Sequence, residues 1–200
     1  MPKPWYDFYL KGGSMSGSSW TLLQSSIIRK QIVAVTGLML VGFLIAHLTG
    51  NFLLFAGPEA FNGYSKKLHD LGAILWVLRI GLLAAFLAHI YLAIQLTAEN
   101  HSARKHRYAV SNQKGDGGFA KRSMIYTGLL VFLFVALHLY DFTFRSKTGD
   151  PTVISGVNEG ESLGLFGLVW NSFLEPWHAG LYILAMIVLG LHLSHGIQSL

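Results

Sequence analysis

The chain has 200 residues, of which 52% are apolar and 12% are charged, and it contains no cysteine. Soluble domains average roughly 25% charged residues, so this composition excludes an ordinary soluble domain. The lack of cysteine excludes disulfides, thiolate metal sites, iron–sulfur clusters and covalently attached haem. The net charge of +5 therefore bears on membrane orientation, and we do not expect nucleic acid as a partner.

Four long segments contain no Asp, Glu, Lys or Arg: residues 31–58, 80–98, 123–140 and 176–200. A helix of about 20 apolar residues crosses a bilayer, and an apolar run of 18 or more indicates a candidate span. The pattern predicts one all-α domain over residues 1–200, a polytopic transmembrane helical bundle. Its spans are predicted at about 27–55, 71–98, 120–144 and 176–200.

The segments between the spans are predicted as follows. Residues 1–26 form an amphipathic N-terminal arm, and residues 57–70 and 99–118 form loops. The apolar stretch 162–174 is too short to span and is predicted to be an interfacial segment before the fourth helix. Pro176 suits the first turn of that helix.

The distribution of Lys and Arg predicts the orientation. Ten of these residues lie in the arm, its junction with the first span, and the second loop, whereas four lie on the opposite side. The positive-inside rule therefore places the N-terminus in the cytoplasm, which predicts a multi-pass protein of the bacterial cytoplasmic (inner) membrane.

Five histidines lie in the interior of the predicted spans, away from their outer ends: His47, His89, His138, His192 and His195. Ionisable groups at this depth are costly and usually functional. Consecutive helices run in opposite directions, so the first and third spans both run outward. His47 and His138 are therefore expected in the outer leaflet. His89 and His192 are expected in the inner leaflet, so antiparallel topology predicts two histidine pairs.

Two imidazoles on facing helices suit the axial ligation of b-type haem, which is held without covalent attachment. Thr36-Gly37 precedes His47, and Thr127-Gly128 precedes His138 at the same spacing. We expect these glycines to let a macrocycle approach the backbone. Zinc would require more ligands than one pair supplies. A proton relay usually contains a buried carboxylate, and we expect none in these spans.

The ordered motifs resemble the single-chain dihaem cytochrome b anchor of succinate:menaquinone oxidoreductases and fumarate reductases. The motifs are FLIAHL (43–48) continuing to residue 51, EAFN (59–62), AHIY (88–91), LTAEN (96–100), TG (127–128) with LH (137–138), and HLSHG (192–196). They cover nearly the whole chain from residue 29 onward.

The resemblance implies two haem b groups, with His89 and His192 ligating the inner haem and His47 and His138 the outer one. It favours His192 over His195, because the family's ligand stands four residues before a glycine, here Gly196. It also implies five membrane helices, so we expect the sequence to be truncated after the fourth.

The resemblance further implies that a flavoprotein and an iron–sulfur subunit dock on the cytoplasmic face. Electrons from succinate would then pass through the two haems to menaquinone, so quinone reduction belongs to this chain and succinate binding does not. A homo-oligomer of the whole complex is also compatible with the resemblance.

Several polar side chains are candidates for contacts with these groups. Charged and hydrogen-bonding partners at the membrane surface would hold the haem propionates: Arg29, Lys30, Arg122 and His195 on the inner side, and Arg145 on the outer side. The candidates for the quinone site are led by His69 and Arg79, followed by Tyr64, Lys67 and Asp70.

Three alternatives remain open from the sequence. The chain could anchor a fumarate reductase that runs in the opposite direction, or another respiratory enzyme of the hydrogenase or formate dehydrogenase type. It could also be a haem-free transporter or scaffold in which the histidines carry protons or ions.

Overall fold

The structure is a computed structural model that describes residues 25–102 and 117–198, with only the backbone described for 117–122. The six α-helices of this part are α1 (Ser26–Asn51), α2 (Pro58–Asp70), α3 (Ala73–Ser102), α4 (Gly117–Leu139), α5 (Gly164–Leu174) and α6 (Pro176–Gln198). The predicted arm lies outside the described residues except at its end, as does most of the predicted loop 99–118.

Four helical segments are long and apolar enough to cross a membrane: Ser26–Ala56, Ala73–Ser102, Ser123–Phe144 and Pro176–Gln198. In the most apolar 18-residue stretch of each segment, only 6%, 6%, 0% and 6% of the residues are buried by the rest of the protein. Exposed apolar surface of this extent requires an apolar environment. The predicted multi-pass membrane bundle is confirmed, with the lipid bilayer as its surroundings.

The transmembrane helices form two antiparallel hairpins. Helix α1 packs along α3, and α4 packs along α6, whereas the contacts between α3 and α4 are much less extensive. Each hairpin therefore holds itself together, and the two hairpins meet through side chains such as Phe86 and Phe132, whose ring centroids are 6.3 Å apart.

Residues 57–70 were predicted to form a loop, but most of this segment is helix α2. Pro58 occupies the first turn, where its missing N–H costs nothing, and Glu59 in the same turn favours the positive end of the helix dipole. Gly57 precedes the helix with φ 97°, a conformation that favours glycine. Phe61 is buried, which anchors α2 against the rest of the fold.

Helix α5 coincides with the predicted interfacial segment, and one of its faces is buried within the protein. Phe166 packs with Phe61 and Ile154, and Leu168 is only 1% exposed. A Cβ on Gly167 would lie 1.9 Å from the carbonyl oxygen of Thr152, so glycine is required at this close approach. One face of α5 is therefore packed against the protein, whereas Trp170 and Leu174 stay exposed.

The side chain of Asn62 links α2 to the start of α5. Its amide nitrogen donates to the Leu163 carbonyl at 2.8 Å, and its oxygen accepts from the Phe166 N–H at 3.1 Å. One amide thus satisfies backbone groups at the N-terminus of α5. We call α2, α5 and residues 145–163 the cap layer. The end of the bundle that carries the cap layer is called the cap end, and the opposite end is called the far end.

Candidate cofactor site

His47 on α1 and His138 on α4 meet across the gap between the hairpins, near the cap end. Their ring centroids are 5.6 Å apart and their planes are almost perpendicular, at 88°. Each lies beside aromatic rings of its own helix: Phe43 stacks on His47 at 5.4 Å, and Phe134 lies 5.9 Å from His138. The structure therefore brings this predicted pair together.

His89 on α3 is oriented by α1, its hairpin partner. Its Nδ1 lies 3.1 Å from the Val33 carbonyl oxygen and 3.3 Å from the Thr36 hydroxyl oxygen. The single hydroxyl proton of Thr36 is directed to the Ile32 carbonyl at 2.7 Å, so its oxygen can accept. Because a carbonyl can only accept, Nδ1 carries the proton. The lone pair of His89 is then on Nε2.

His192 on α6 is oriented in the same way by α4. Its Nδ1 lies 3.1 Å from the Thr127 hydroxyl oxygen, and the imidazole also has a backbone hydrogen bond to Met124. The Thr127 hydroxyl itself bonds back to the Ser123 and Met124 carbonyls. His192 therefore lies at the Thr127 level of its hairpin, as His89 lies at the Thr36 level of the other hairpin.

The glycine after each threonine faces the same histidine. A Cβ on Gly37 would lie 3.2 Å from Cε1 of His89, and one on Gly128 would lie 3.2 Å from Cε1 of His192. Such a distance is tighter than ordinary van der Waals contact. These glycines were predicted to admit a macrocycle, but in the structure each makes room for an imidazole of the neighbouring helix.

The two hairpins repeat one register. Thr36 stands eleven residues before His47, and Thr127 stands eleven residues before His138. In each hairpin the first helix supplies a cap-end histidine, and its Thr-Gly dipeptide receives the far-end histidine of the second helix. The duplicated spacing in the sequence therefore corresponds to a duplicated structural device.

The donor set fits bis-histidine ligation of b-type haem. His47 and His138, whose ring centroids are 5.6 Å apart, would be the two residues that hold the iron near the cap end. His89 and His192 present Nε2 lone pairs because Nδ1 is held by oxygen acceptors, the usual arrangement for a ligating histidine. Among the described residues, no three His, Asp or Glu side chains form a cluster of metal ligands.

The propionate candidates are dispersed. Arg29 forms a two-point ion pair with Glu99, with Nη2 donating to Oε2 at 2.9 Å, so α1 is tied to α3 at the far end. His195 lies 3.5 Å from the Ser123 hydroxyl oxygen. Lys30 and Arg145 are exposed. The side chain of Arg122 lies outside the described residues.

The quinone candidates do not converge on the histidine pairs. His69, Lys67 and Asp70 are exposed on α2, and His69 Nδ1 bonds to the Ser65 carbonyl at 2.7 Å. Arg79 is exposed on α3, with its guanidinium 5.4 Å from the centroid of the Trp76 ring. Tyr64 differs, because its ring lies directly against Gly50, one helical turn beyond His47.

A cluster that the sequence did not predict lies beside the cap-end pair. Asp141 is only 4% exposed and lies in a π-helical turn, Tyr140–Phe144, that follows α4. Its Oδ2 accepts from His178 Nε2 and from the Tyr182 hydroxyl, each at 2.9 Å. The expectation that the spans hold no buried carboxylate is therefore wrong. Position 141 is one helical turn after His138 and so lies on the same helix face. This spacing is the feature of the sequence that could have predicted its inward placement.

Comparison with models of protein families, with curated proteins and with solved structures found no match for the chain. The assignment of a function therefore depends on the residues and geometry described above.

Proposed function

We propose that this chain is a dihaem b-type cytochrome that carries electrons within the membrane. The observation that carries the proposal is the arrangement of four intramembrane histidines: His47 and His138 face each other near the cap end, and His89 and His192 each lie at the threonine level near the far end. Helix packing alone does not require this arrangement. An imidazole within the membrane costs free energy, and one hydrogen-bonded histidine would be enough to link two helices.

His47 and His138 would hold the haem near the cap end, and His89 and His192 the one near the far end. Thr36 and Thr127 orient the far-end imidazoles by accepting from Nδ1, which keeps Nε2 unprotonated. Gly37 and Gly128 allow these imidazoles to lie against the helix backbone. When bound, a haem supplies one-electron oxidation and reduction, which no side chain of these pairs can provide alone.

The apolar spans would exclude water from the space between the hairpins. The levels are separated along the bundle because His47 and Thr36 are eleven residues apart on α1, and the far-end histidines face the threonine level. At 1.5 Å per residue this corresponds to roughly 16 Å. Two redox centres at this spacing would conduct electrons from one membrane surface towards the other.

We further propose that the chain is the membrane anchor of a succinate:menaquinone oxidoreductase. The resemblance of its ordered histidine motifs to that family supports this proposal. The far end would then face the cytoplasm and receive electrons from an iron–sulfur subunit bound to a flavoprotein. Menaquinone would be reduced near the cap end, with the chain lying in the bacterial inner membrane.

The proposal is tested by isolating the chain with its native partners from solubilised membranes. We expect a reduced-minus-oxidised spectrum with a b-type band and two haems per chain. A flavin-containing partner would support the succinate:quinone assignment, whereas a nickel- or molybdenum-containing partner would replace it with a hydrogenase or formate dehydrogenase anchor. Absence of a b-type band would reject the haem proposal.

A second candidate is a haem-free carrier of protons or ions. The buried Asp141, with hydrogen bonds from His178 and Tyr182, favours it because an intramembrane carboxylate with an imidazole partner is typical of proton pathways. The same spectrum separates the candidates. A haem-free protein that acidifies or alkalinises the interior of vesicles when energised would support the carrier.

A further inference from the structure

The two histidine levels are oriented by different means. Near the far end, Nδ1 of each histidine lies within hydrogen-bond distance of a threonine hydroxyl of the hairpin partner. Near the cap end, Nδ1 of His138 is buried and has no hydrogen-bond partner within the described part of the chain. The ring orientation of His138 must therefore be set by packing.

Three aromatic rings supply that packing. Phe142 lies 5.3 Å from the His138 ring, Phe134 lies 5.9 Å from it, and Tyr182 of α6 lies 6.1 Å from it. Phe134 and Phe142 are one turn before and after His138 on the same helical segment. Tyr182 is the member of this set that comes from the other helix of the hairpin, so it restrains the ring from the side.

The orientation of Tyr182 is itself fixed by Asp141. The Tyr182 hydroxyl donates to Asp141 Oδ2 at 2.9 Å, and His178 Nε2 donates to the same oxygen. All three side chains are buried, at 4%, 7% and 8% exposure for Asp141, His178 and Tyr182. A buried carboxylate with two donors forms strong, directional hydrogen bonds, so this cluster is a rigid support.

We propose that Asp141 is a positioning residue that fixes the plane of the His138 imidazole through Tyr182. This inference rests on the proposed function, since it concerns an axial ligand. Asp141 orients Tyr182, and the Tyr182 ring blocks rotation of His138 about its Cβ–Cγ bond. The result is the nearly perpendicular arrangement of the His47 and His138 planes.

The angle between two axial imidazole planes governs the EPR anisotropy of a low-spin ferric haem. Perpendicular planes give a strongly anisotropic signal, and parallel planes give a less anisotropic one. The cap-end centre therefore has a spectroscopic signature that reports the His138 plane directly. A general loosening of the bundle would change the EPR signals of both centres, not that of the cap-end centre alone.

The experiment compares Asp141→Leu and Tyr182→Leu with wild type in the purified complex, by haem content and EPR of both centres. We expect the cap-end signal to lose anisotropy while the far-end signal stays unchanged. Asp141→Asn keeps an oxygen acceptor for the Tyr182 hydroxyl and is expected to retain the wild-type signal. Tyr140→Leu is the matched aromatic control, because this neighbouring ring is 62% exposed.

A cap-end signal that is unchanged in both leucine variants, with two haems retained, would overturn the inference. Equal changes at both centres would also overturn it, because they would indicate a general structural role. Should Asp141→Leu fail to accumulate, Tyr182→Phe decides, since removing only the hydroxyl is expected to shift the same signal by a smaller amount and an unchanged signal rejects the inference. A wild-type protein without haem would reject the proposed function and this inference together.

Discussion

The Nδ1 atom of His192 lies 3.1 Å from the hydroxyl oxygen of Thr127. The equivalent contact in the other hairpin joins His89 and Thr36. Each hairpin is therefore a complete half of the site: it orients its own far-end histidine and contributes one histidine to the cap-end level. A cofactor that bridges two histidines would also join the two hairpins, whose direct contacts are few.

Replacing the histidines tests the pairing. We expect His47→Ala and His138→Ala to remove the same haem, and His89→Ala and His192→Ala to remove the other one. The reason is that each level needs both axial ligands, and the two levels lie in different parts of the bundle. The measurement is haem per chain together with the EPR spectrum of the remaining centre.

The control for these substitutions is His101→Ala, because His101 is an exposed histidine at the end of α3. It should retain both haems. If His47→Ala and His89→Ala depleted the same centre, the assignment of ligands to levels would be wrong.

Removing the threonine hydroxyls tests how the far-end histidines are oriented. Thr36→Val and Thr127→Val keep a branched side chain but remove the acceptor for Nδ1. Loss of such a partner typically weakens metal binding by about 10–100-fold. We expect selective loss of the far-end haem during dialysis against a haem-binding protein.

Thr49→Val and Thr97→Val are matched controls, because their hydroxyls bond to carbonyls of their own helices, Ile45 and Ala93. Both should release haem at the wild-type rate. Equal release from the test and control variants would show that the Thr36 and Thr127 hydroxyls do not support the ligands.

The glycines beside the far-end imidazoles give a third prediction. In Gly37→Ala and Gly128→Ala, the new methyl group would lie 3.2 Å from a histidine Cε1. Overpacking of this kind costs about 1–3 kcal/mol, and each 1.4 kcal/mol corresponds to about a tenfold change in affinity. We expect weaker retention of the far-end haem, measured by the same dialysis assay.

Gly42→Ala and Gly190→Ala serve as controls, because a Cβ at either position meets nothing within 4 Å. Alanine also favours a helix by up to about 1 kcal/mol relative to glycine. Thermal stability should therefore not fall in the controls. Equal haem loss in test and control variants would contradict a specific role for the space beside His89 and His192.

The spans were predictable because charge-free runs are a direct consequence of bilayer thickness. The meeting of His47 and His138 was also predictable, since α1 and α4 cross the membrane in the same direction and carry these histidines at equivalent positions. Helix α2 was not predicted, because the prediction for residues 57–70 rested on their low hydrophobicity. Its helical form depends on local features at Pro58 and Glu59 and on the burial of Phe61.

The packing of one face of α5 and the burial of Asp141 were not predicted, for a common physical reason. The apolar face of α5 is covered by Phe61, which is distant in the sequence, and by Ile154, which is separated from α5 by a loop. The burial of Asp141 likewise depends on donors from α6, His178 and Tyr182. Such long-range packing overrides local hydrophobicity, and periodicity within one segment does not reveal it.

The ion pair between Arg29 and Glu99 gives the last prediction. Arg29 was predicted to hold a haem propionate, but its guanidinium makes a two-point contact with the Glu99 carboxylate. Glu99 is half exposed, with 49% of its side chain accessible, so solvent screens the pair. We expect Arg29→Gln and Glu99→Gln each to reduce stability by under about 1 kcal/mol, measured as a small decrease in Tm.

The double variant Arg29→Gln/Glu99→Gln should be no less stable than the less stable single variant, because the two single changes remove the same interaction. Both single variants should retain the far-end haem, since the pair ties α1 to α3 and does not ligate iron. If Arg29→Gln lost that haem and Glu99→Gln retained it, the result would instead support the prediction that Arg29 binds a haem propionate. Because the substitutions disrupt one ion pair from opposite sides, a difference in haem retention between them identifies an interaction of Arg29 beyond that with Glu99.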